Sequence, residues 1–177
     1  HRMVEKGKGI LAADESTPTC TKRFESISTE STAYSRNYYR NLLLTSKGIE
    51  KFISGVILFD ETFHQSELKT GQKFPEYLSN LGILPGIKVD QGLEDFADGE
   101  KLTKGLDGLS ERLNNYYSHG ARFAKWRAVI NIGENLPSAD CIEANANSLA
   151  KYALACQQSN LVPIVAVSYT HLRAHET

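Results

Sequence analysis

Four of the apolar segments in this chain end in charged side chains of the kind that bind or act on anions. They are Asp14, Asp60, Lys88 with Asp90, and Lys125 with Arg127. Burying an unpaired ammonium is costly, so a lysine at such a place either meets an anion or loses its proton. As a cation it can hold a phosphate, and as a neutral amine it can attack a carbonyl carbon to form an imine. The residues alone therefore predict a site for a phosphorylated carbonyl compound, with imine chemistry left open.

The segment "FAKWRAVI" carries two of these cations only two residues apart. Side chains alternate along a strand, so Lys125 and Arg127 would share one face while Ala124, Trp126 and Ala128 share the other. Two cations on one face of a buried strand need an anionic partner, and a phosphate or a polyol phosphate would satisfy them. We interpret Trp126, on the opposite face, as a packing residue.

Each charged residue also has a plainer interpretation. Lys88 could pair with Asp14 or Asp90, and a lone lysine at a strand end is often only solvated. Asp14 also has a functional interpretation beside such pairing, since a carboxylate at the end of the first strand could move protons or orient a reacting hydroxyl. A metal site is not expected, because His171 and His175 stand at i, i+4 spacing but lack a convincing third ligand.

Five short apolar segments are predicted to form the strands that position these residues. They are rich in Val, Ile, Leu or Ala, as strands buried on both faces should be, and they start at Gly9, Ile53, Ile83, Ala121 and Leu161. Segments with helical periodicity lie between them. Their expected apolar stripes are Tyr38, Tyr39, Leu42 and Leu43; Leu109, Leu113 and Tyr116; and Ile142, Ala146, Leu149, Ala153 and Cys156. This alternation predicts an α/β fold with a parallel sheet, either a five-stranded open sheet or part of a barrel.

The composition limits the kinds of partner to expect. The 177 residues include 20 basic and 21 acidic side chains, a net charge of −1, so the bulk charge favours neither nucleic acid nor a membrane surface. Three cysteines form no CxxC motif and are typical of a reducing compartment. The cytoplasm is therefore expected, with a plastid left open because a transit peptide could precede the sequence.

Several motifs together resemble the class I fructose-bisphosphate aldolases. They cover about Lys6 to Val165 in order, and they read "GKGILAADEST", "SGVILFDET", "LPGIKVD", "GLDGLSERL", "ARFAKWRAVI", "EANANSLAKYA" and "LVPIV". The resemblance implies a partial (β/α)8 barrel of about the first five strands. It also implies a sugar-phosphate substrate, no metal or other cofactor, and a whole protein that assembles as a homotetramer.

The resemblance assigns roles position by position. It implies that Asp14 assists carbon–carbon cleavage and orients the C4 hydroxyl, and that Lys125 stabilises charge at the scissile bond and aids imine formation. The other matching positions are implied to contact the substrate. Those near a phosphate are Ser16, Thr19, Arg23 and Arg36; Lys88 is implied to contact the substrate near the reacting carbons, and Arg127, beside Lys125, to help position the substrate.

The sequence departs from the family pattern after "LVPIV". The family continues with Glu-Pro-Glu, whereas Ala166, Val167 and Ser168 stand here, and the Leu-Leu-Lys-Pro-Asn segment with the Schiff-base lysine is not among the 177 residues. We therefore expect residues 1–167 to be the N-terminal part of an aldolase barrel and residues 168–177 to be a non-homologous, artefactual tail.

The leading hypothesis is a fragment of an enzyme of glycolysis. The whole protein would reversibly cleave fructose 1,6-bisphosphate to dihydroxyacetone phosphate and glyceraldehyde 3-phosphate through a lysine Schiff base, and this chain would be inactive. One alternative is a non-catalytic α/β module that binds sugar phosphate on Lys88, Lys125 and Arg127. Another is a different Schiff-base lyase that uses Lys88 or Lys125 as the nucleophile.

Overall fold

A computed structural model describes residues 1–97 and 99–171 of the chain. The chain divides into two compact units. The first contains His1–Lys88 with Ser118–Arg122, and the second contains Val89–Tyr117 with the chain from Phe123 onward.

The first unit is built on three parallel strands. They are β1 (Gly9–Ala13), β2 (Ile53–Leu58) and β3 (Leu84–Lys88), with β2 paired to both others. Every residue of β2 after Ile53 is buried, which is typical of a parallel strand covered on both faces.

Four α-helices complete the first unit. They are α1 (Thr17–Glu25), α2 (Ala33–Leu44), α3 (Asp60–His64) and α4 (Phe74–Asn80), and 3₁₀ turns occupy Arg2–Val4 and Ile49–Lys51. Helix α2 begins at a reciprocal capping box between Thr32 and Ser35. Pro18 in the first turn of α1 is placed where a missing N–H costs nothing, so the sequence "DESTPT" favours a helix start directly after β1.

The second unit contains a hairpin, two helices and two long parallel strands. The hairpin strands are β4 (Leu93–Asp95) and β5 (Lys101–Thr103), followed by α5 (Leu109–Ser118), β6 (Phe123–Ile132), α6 (Ala139–Gln158) and β7 (Val162–His171). Strands β6 and β7 pair in parallel over their whole length, with Lys125 opposite Ile164. Trp126 and Tyr152 are both fully buried, with ring centroids 5.5 Å apart, and anchor the interior of this unit.

The five predicted strands are confirmed as β1, β2, β3, β6 and β7. The β4–β5 hairpin and helices α1, α3 and α4 were not predicted, because each is short and carries little periodicity of its own. The predicted stripe of α5 is also confirmed, since Leu109, Leu113 and Tyr116 are its buried residues.

Two predicted helix faces are wrong in part. Tyr38 and Leu42 are 49% and 55% exposed, and the fully buried residues of α2 are Arg40 and Leu44. In α6, Ile142 is 50% exposed. The buried residues of that helix are Cys141, Asn145, Tyr152 and Cys156. In both helices a polar side chain takes an inward position because it has a hydrogen-bond partner there, which apolar periodicity does not register.

The predicted tail begins inside a strand. Strand β7 continues from Val167 through Ser168 to His171, opposite Val129–Ile132 of β6. The rest of the predicted tail, including His175, lies outside the described residues. No helix in the described part of the chain is long and apolar enough to cross a membrane.

Candidate active site

The turn from β1 into α1 places several of the predicted site residues together. Asp14 directly follows β1 and is 9% exposed. Ser16 is the N-cap residue of α1, and no side chain caps the helix. The Ser16 and Thr19 hydroxyl oxygens lie 3.1 Å apart. Two hydroxyls therefore lie at the start of a helix whose backbone dipoles favour an anion, and Asp14 precedes its N-cap residue by two positions.

Glu15 lies at the centre of an ionic cluster beside this turn. One carboxylate oxygen accepts hydrogen bonds from Arg23 and, at 3.3 Å, from the Tyr39 hydroxyl, while the other accepts from Arg40. Arg23 also donates to the Tyr39 oxygen at 3.0 Å. Burial by itself would raise the pKa of Glu15, but its backbone hydrogen bond and the two guanidinium groups hold that pKa below its ordinary value. Glu15 is therefore a carboxylate kept ionised between two arginines.

Arg36 is held in a separate ion pair. Its Nε and Nη2 donate to the two carboxylate oxygens of Glu61 at 2.7 and 2.6 Å, and its Nη1 donates to the Ser31 carbonyl at 2.9 Å. The hydrogen bonds to Glu61 and its negative charge raise the pKa of Arg36, against the opposing effect of burial. An incoming phosphate would have to compete with Glu61 for this arginine.

Lys88 is the last residue of β3 and is half-buried. The carboxyl ends of parallel strands are the usual location of ligand sites in α/β folds. The contact with substrate implied for Lys88 stays a prediction. Asp60, the other charged residue that follows a strand of this unit, begins α3 and lies 3.4 Å from His64 Nε2 on an exposed surface.

Strand β6 has the two-faced character that its sequence predicts. Ala124, Trp126 and Ala128 are buried, whereas Lys125 is half-buried and Arg127 is exposed. The backbone of β6 is fixed at both cations. The Lys125 carbonyl accepts from the Val89 N–H at 3.1 Å, and the Arg127 carbonyl accepts from the Thr103 hydroxyl at 2.8 Å. The cations therefore project from a rigid strand, which is the support that a substrate site requires.

The structure thus brings the predicted residues together in two groups, each described within its own unit. One group is the β1–α1 turn with Asp14, Ser16, Thr19 and Arg23, and the other is the pair Lys125 and Arg127 on β6. Their roles toward a substrate remain predictions.

Sequence reasoning missed the carboxylates and the arginine that organise these groups, namely Glu15, Glu61 and Arg40. Their spacing could have revealed the arginines. Arg36, Arg40 and Leu44 recur every four residues, which places them on one face of α2. Arginines on an inward face require buried carboxylates, and Glu15 and Glu61 were the acidic residues next to two predicted strand ends.

Neither metal ligation nor a reactive thiol is supported by the described residues. No group of three or more His, Cys, Asp or Glu side chains among them could hold a metal ion. Cys20, Cys141 and Cys156 are all buried, and burial raises the pKa of each thiol, that of Cys156 to about 11. Thiols with raised pKa values are poor nucleophiles near neutral pH.

Comparison with known proteins gives consistent matches. The probable class 1 fructose-bisphosphate aldolase of Xanthomonas campestris is 56% identical over 165 residues, which are 92% of this chain and 49% of that protein. The cytosolic fructose-bisphosphate aldolase 4 of Arabidopsis thaliana is 53% identical over 161 residues, 90% of this chain and 41% of that protein. The chain therefore spans about half the length of the curated relatives it matches.

A solved structure gives the same match in three dimensions. The fructose-bisphosphate aldolase of Plasmodium falciparum, crystallised with TRAP and a small-molecule inhibitor, superposes with a TM-score of 0.91. The two are 50% identical, and the match covers 95% of this chain and 49% of that one. This confirms the predicted fold class, an α/β chain that corresponds to part of a (β/α)8 barrel. The family model for class-I fructose-bisphosphate aldolase matches residues 1–175. The chain belongs to the class I fructose-bisphosphate aldolase family.

Proposed function

We propose that this chain supplies one part of the substrate site of a fructose-bisphosphate aldolase. The whole protein would cleave fructose 1,6-bisphosphate reversibly to dihydroxyacetone phosphate and glyceraldehyde 3-phosphate in glycolysis. The observation that carries the proposal is the family-model match over residues 1–175. The positions of the acidic and basic side chains at the ends of β1, β3 and along β6 support it.

Each site residue has a part in the proposed reaction. Asp14, close to the start of α1, orients the C4 hydroxyl, whose proton must leave as C4 becomes an aldehyde carbon. Lys125 is half-buried, so its charge acts on the scissile bond with less screening than an exposed lysine would have. The remaining residues bind the substrate. They are Ser16, Thr19, Arg23, Arg36, Lys88 and Arg127.

Substrate binding by the 177-residue chain can be measured directly. We expect saturable binding of fructose 1,6-bisphosphate by titration calorimetry, weakened at least tenfold by Lys125→Met. Lys151→Met is the matched control, because Lys151 is exposed on α6 and is assigned no role at the site. Equal affinities for wild type and Lys125→Met would contradict the proposal.

We further propose that the 177 residues do not form a Schiff base by themselves. The Leu-Leu-Lys-Pro-Asn segment that carries the nucleophile in the family is not among them. Incubation with dihydroxyacetone phosphate, reduction with borohydride and intact-mass measurement should show no adduct, while a whole class I aldolase treated in parallel should show one. An adduct on this chain would instead favour Lys88 or Lys125 as a nucleophile.

The alternative is a non-catalytic sugar-phosphate-binding α/β module. One observation favours it. The hydroxyls of the β1–α1 turn and the cations of β6 are all contained in these 177 residues, so the chain needs no further segment to supply them. Sequencing the native transcript across Val165 separates the two. A reading frame that continues into Glu-Pro-Glu and later a Leu-Leu-Lys-Pro segment supports the enzyme, and a frame that ends at Thr177 supports the module.

Partners and location follow from the same proposal. We propose a small sugar phosphate as the ligand, no nucleic acid or membrane partner, and a homotetramer for the whole protein. A cytoplasmic location is supported by the relative named as cytosolic. Fractionation that found the whole protein in a plastid would contradict that location.

A further inference from the structure

Arg40 has no role in the proposed function, yet it is the most deeply buried charged side chain near the β1–α1 turn, with an exposure of 2%. We propose that Arg40 is a positioning residue that fixes the substrate-binding turn through Glu15. The inference rests on the proposed function, because the turn matters only if it binds substrate.

Arg40 reaches three elements with one guanidinium group. Its Nη1 donates to the Glu15 carboxylate, and its Nη2 donates to the Glu15 backbone carbonyl at 2.7 Å. Nη2 also lies 3.5 Å from Cys20 Sγ on α1, and Nε donates to the Thr62 hydroxyl on α3 at 3.3 Å. The β1–α1 turn is therefore tied to α2, to α3 and to the first turn of its own helix by a single side chain.

The hydrogen bonds from Arg40 to Glu15 also restrict the residues on either side of Glu15. Arg40 holds both the main-chain carbonyl and the carboxylate of Glu15, so this residue can neither rotate its peptide nor change its side-chain direction without breaking a charge-assisted bond. Asp14 precedes Glu15 and Ser16 follows it. Fixing the central residue of this tripeptide fixes the direction in which the Asp14 carboxylate and the Ser16 hydroxyl leave the backbone.

The same contact extends to Arg23. The second oxygen of Glu15 accepts from Arg23, whose side chain is 53% exposed at the surface. Arg40 thus holds Glu15, and Glu15 holds Arg23 in a defined place beside the start of α1. A guanidinium fixed in advance loses less side-chain entropy when it binds a phosphate, which improves affinity without adding a contact.

Stability alone is a weak reason to retain such a cluster. A buried ion pair gains little over a well-packed apolar pair of similar volume, because both charges must be desolvated. The benefit of the charged arrangement is its geometry, since a guanidinium specifies the directions of its hydrogen bonds as an apolar side chain or a lysine does not.

The test is a set of variants of the 177-residue chain titrated with fructose 1,6-bisphosphate and followed by the amide NMR signals of Ser16, Thr17 and Cys20. We expect Arg40→Met to weaken binding at least tenfold. Arg40→Lys should restore part of the loss, because a lysine can hold the carboxylate or the carbonyl of Glu15 with less directional control. Since Arg40 acts through Glu15, Arg40→Met should have little further effect in a Glu15→Gln background.

Arg112 provides the matched control. Its guanidinium also bridges two backbone carbonyls, those of Val89 and Gly105, but it belongs to the second unit and is assigned no role at the site. Arg112→Met should bind fructose 1,6-bisphosphate within twofold of wild type. Wild-type affinity in folded Arg40→Met, or equal losses in Arg40→Met and Arg112→Met, would overturn the inference.

The experiment distinguishes failure of the proposed function from failure of the positioning role of Arg40. If the wild-type chain does not bind fructose 1,6-bisphosphate, the proposed function fails for this chain, and the ligand-free amide shifts of Asp14, Ser16 and Thr17 then decide the positioning role. Unchanged shifts in Arg40→Met overturn it, and changes centred on those residues support it. If Arg40→Met does not fold, the decision passes to Arg40→Lys, for which full wild-type affinity overturns the inference.

Discussion

Helices α1 and α6 both begin after a serine, and the two serines have nearly the same backbone conformation but different neighbours. Ser16 has φ −66° and ψ 163°, and Ser138 has φ −69° and ψ 156°. The Ser138 hydroxyl accepts from the Cys141 N–H at 3.1 Å and donates to the buried carboxylate of Glu100 at 2.5 Å. The Ser16 hydroxyl caps nothing and instead pairs with Thr19. Local sequence thus gives two similar helix starts, and their surroundings make them different.

The two helix starts differ in the partner of the neighbouring glutamate. Glu100 accepts from both the N–H and the hydroxyl of Ser138, so the positive end of the α6 dipole already faces an anion of the protein itself. At α1 the nearby carboxylate, Glu15, is engaged by Arg23 and Arg40 instead. The start of α6 is therefore a structural element, whereas the start of α1 has no side-chain cap, and its hydroxyl groups are the ones that we propose bind a ligand.

The largest expected effect on stability is that of removing Arg40, which leaves the Glu15 carboxylate able to cap α1 as Glu100 caps α6. Arg40→Met leaves a half-buried carboxylate without its main partner, and breaking a buried pair from one side costs about 3 kcal/mol. We expect the free energy of unfolding, measured by urea titration, to fall by that amount. A loss below about 1 kcal/mol would show that Glu15 finds another partner, and capping of α1 is the one to look for.

Removing the α6 cap should have an intermediate effect. Ser138→Ala deletes the hydrogen bond to Cys141 N–H and one of the two bonds to Glu100, and loss of such a cap costs about 1 kcal/mol. The same urea titration measures it. Ser46→Ala is a suitable control, since the exposed Ser46 hydroxyl donates to the Leu42 carbonyl at 2.9 Å and does not cap a helix N-terminus. If the free energy of unfolding of Ser138→Ala equals that of wild type, the start of α6 is not more structural than the start of α1.

The corresponding change at α1 should separate stability from binding. Ser16→Ala deletes no capping bond, so the free energy of unfolding should change by less than about 0.5 kcal/mol. Binding of fructose 1,6-bisphosphate should nevertheless weaken several-fold in the calorimetric titration. If Ser16→Ala destabilises the chain as much as Ser138→Ala does, the α1 start is as structural as that of α6.

The smallest expected difference is in the response to acid. The hydrogen bond from the Ser138 hydroxyl holds the pKa of Glu100 below its ordinary value of 4.5, against the opposing effect of burial. A carboxyl whose pKa is lowered on folding contributes stability that is present above its unfolded pKa and is lost as pH falls through its folded pKa. Glu100→Gln should therefore flatten the decline of stability below about pH 4.5, measured by urea titration at several pH values. An unchanged slope would contradict the ionic character of this cap.

The sequence predicted the elements better than it predicted their contacts. Strand β2 is recognisable because "ISGVIL" is apolar apart from Ser54, and α5 because its stripe repeats every three to four residues. The same rule failed at Ile142 and at Leu42, because inward positions were taken by Asn145 and Arg40. Those polar residues are tolerated inside because they find hydrogen-bond acceptors there. Asn145 donates to the Cys141 carbonyl at 3.0 Å, and Arg40 donates to both the carboxylate and the carbonyl of Glu15.

What the sequence by itself determined is the order of the five parallel strands and of the three periodic helices α2, α5 and α6, the two-faced pattern of β6 and the family to which the motifs belong. These follow from properties that repeat within a few residues, namely apolarity, turn chemistry and alternation. Only the tertiary structure decided that Glu15 would pair with Arg40, 25 positions away, and Arg36 with Glu61, also 25 positions away. The energy of an ion pair depends on a separation of a few ångströms and on burial, and both are set when helices pack against the sheet.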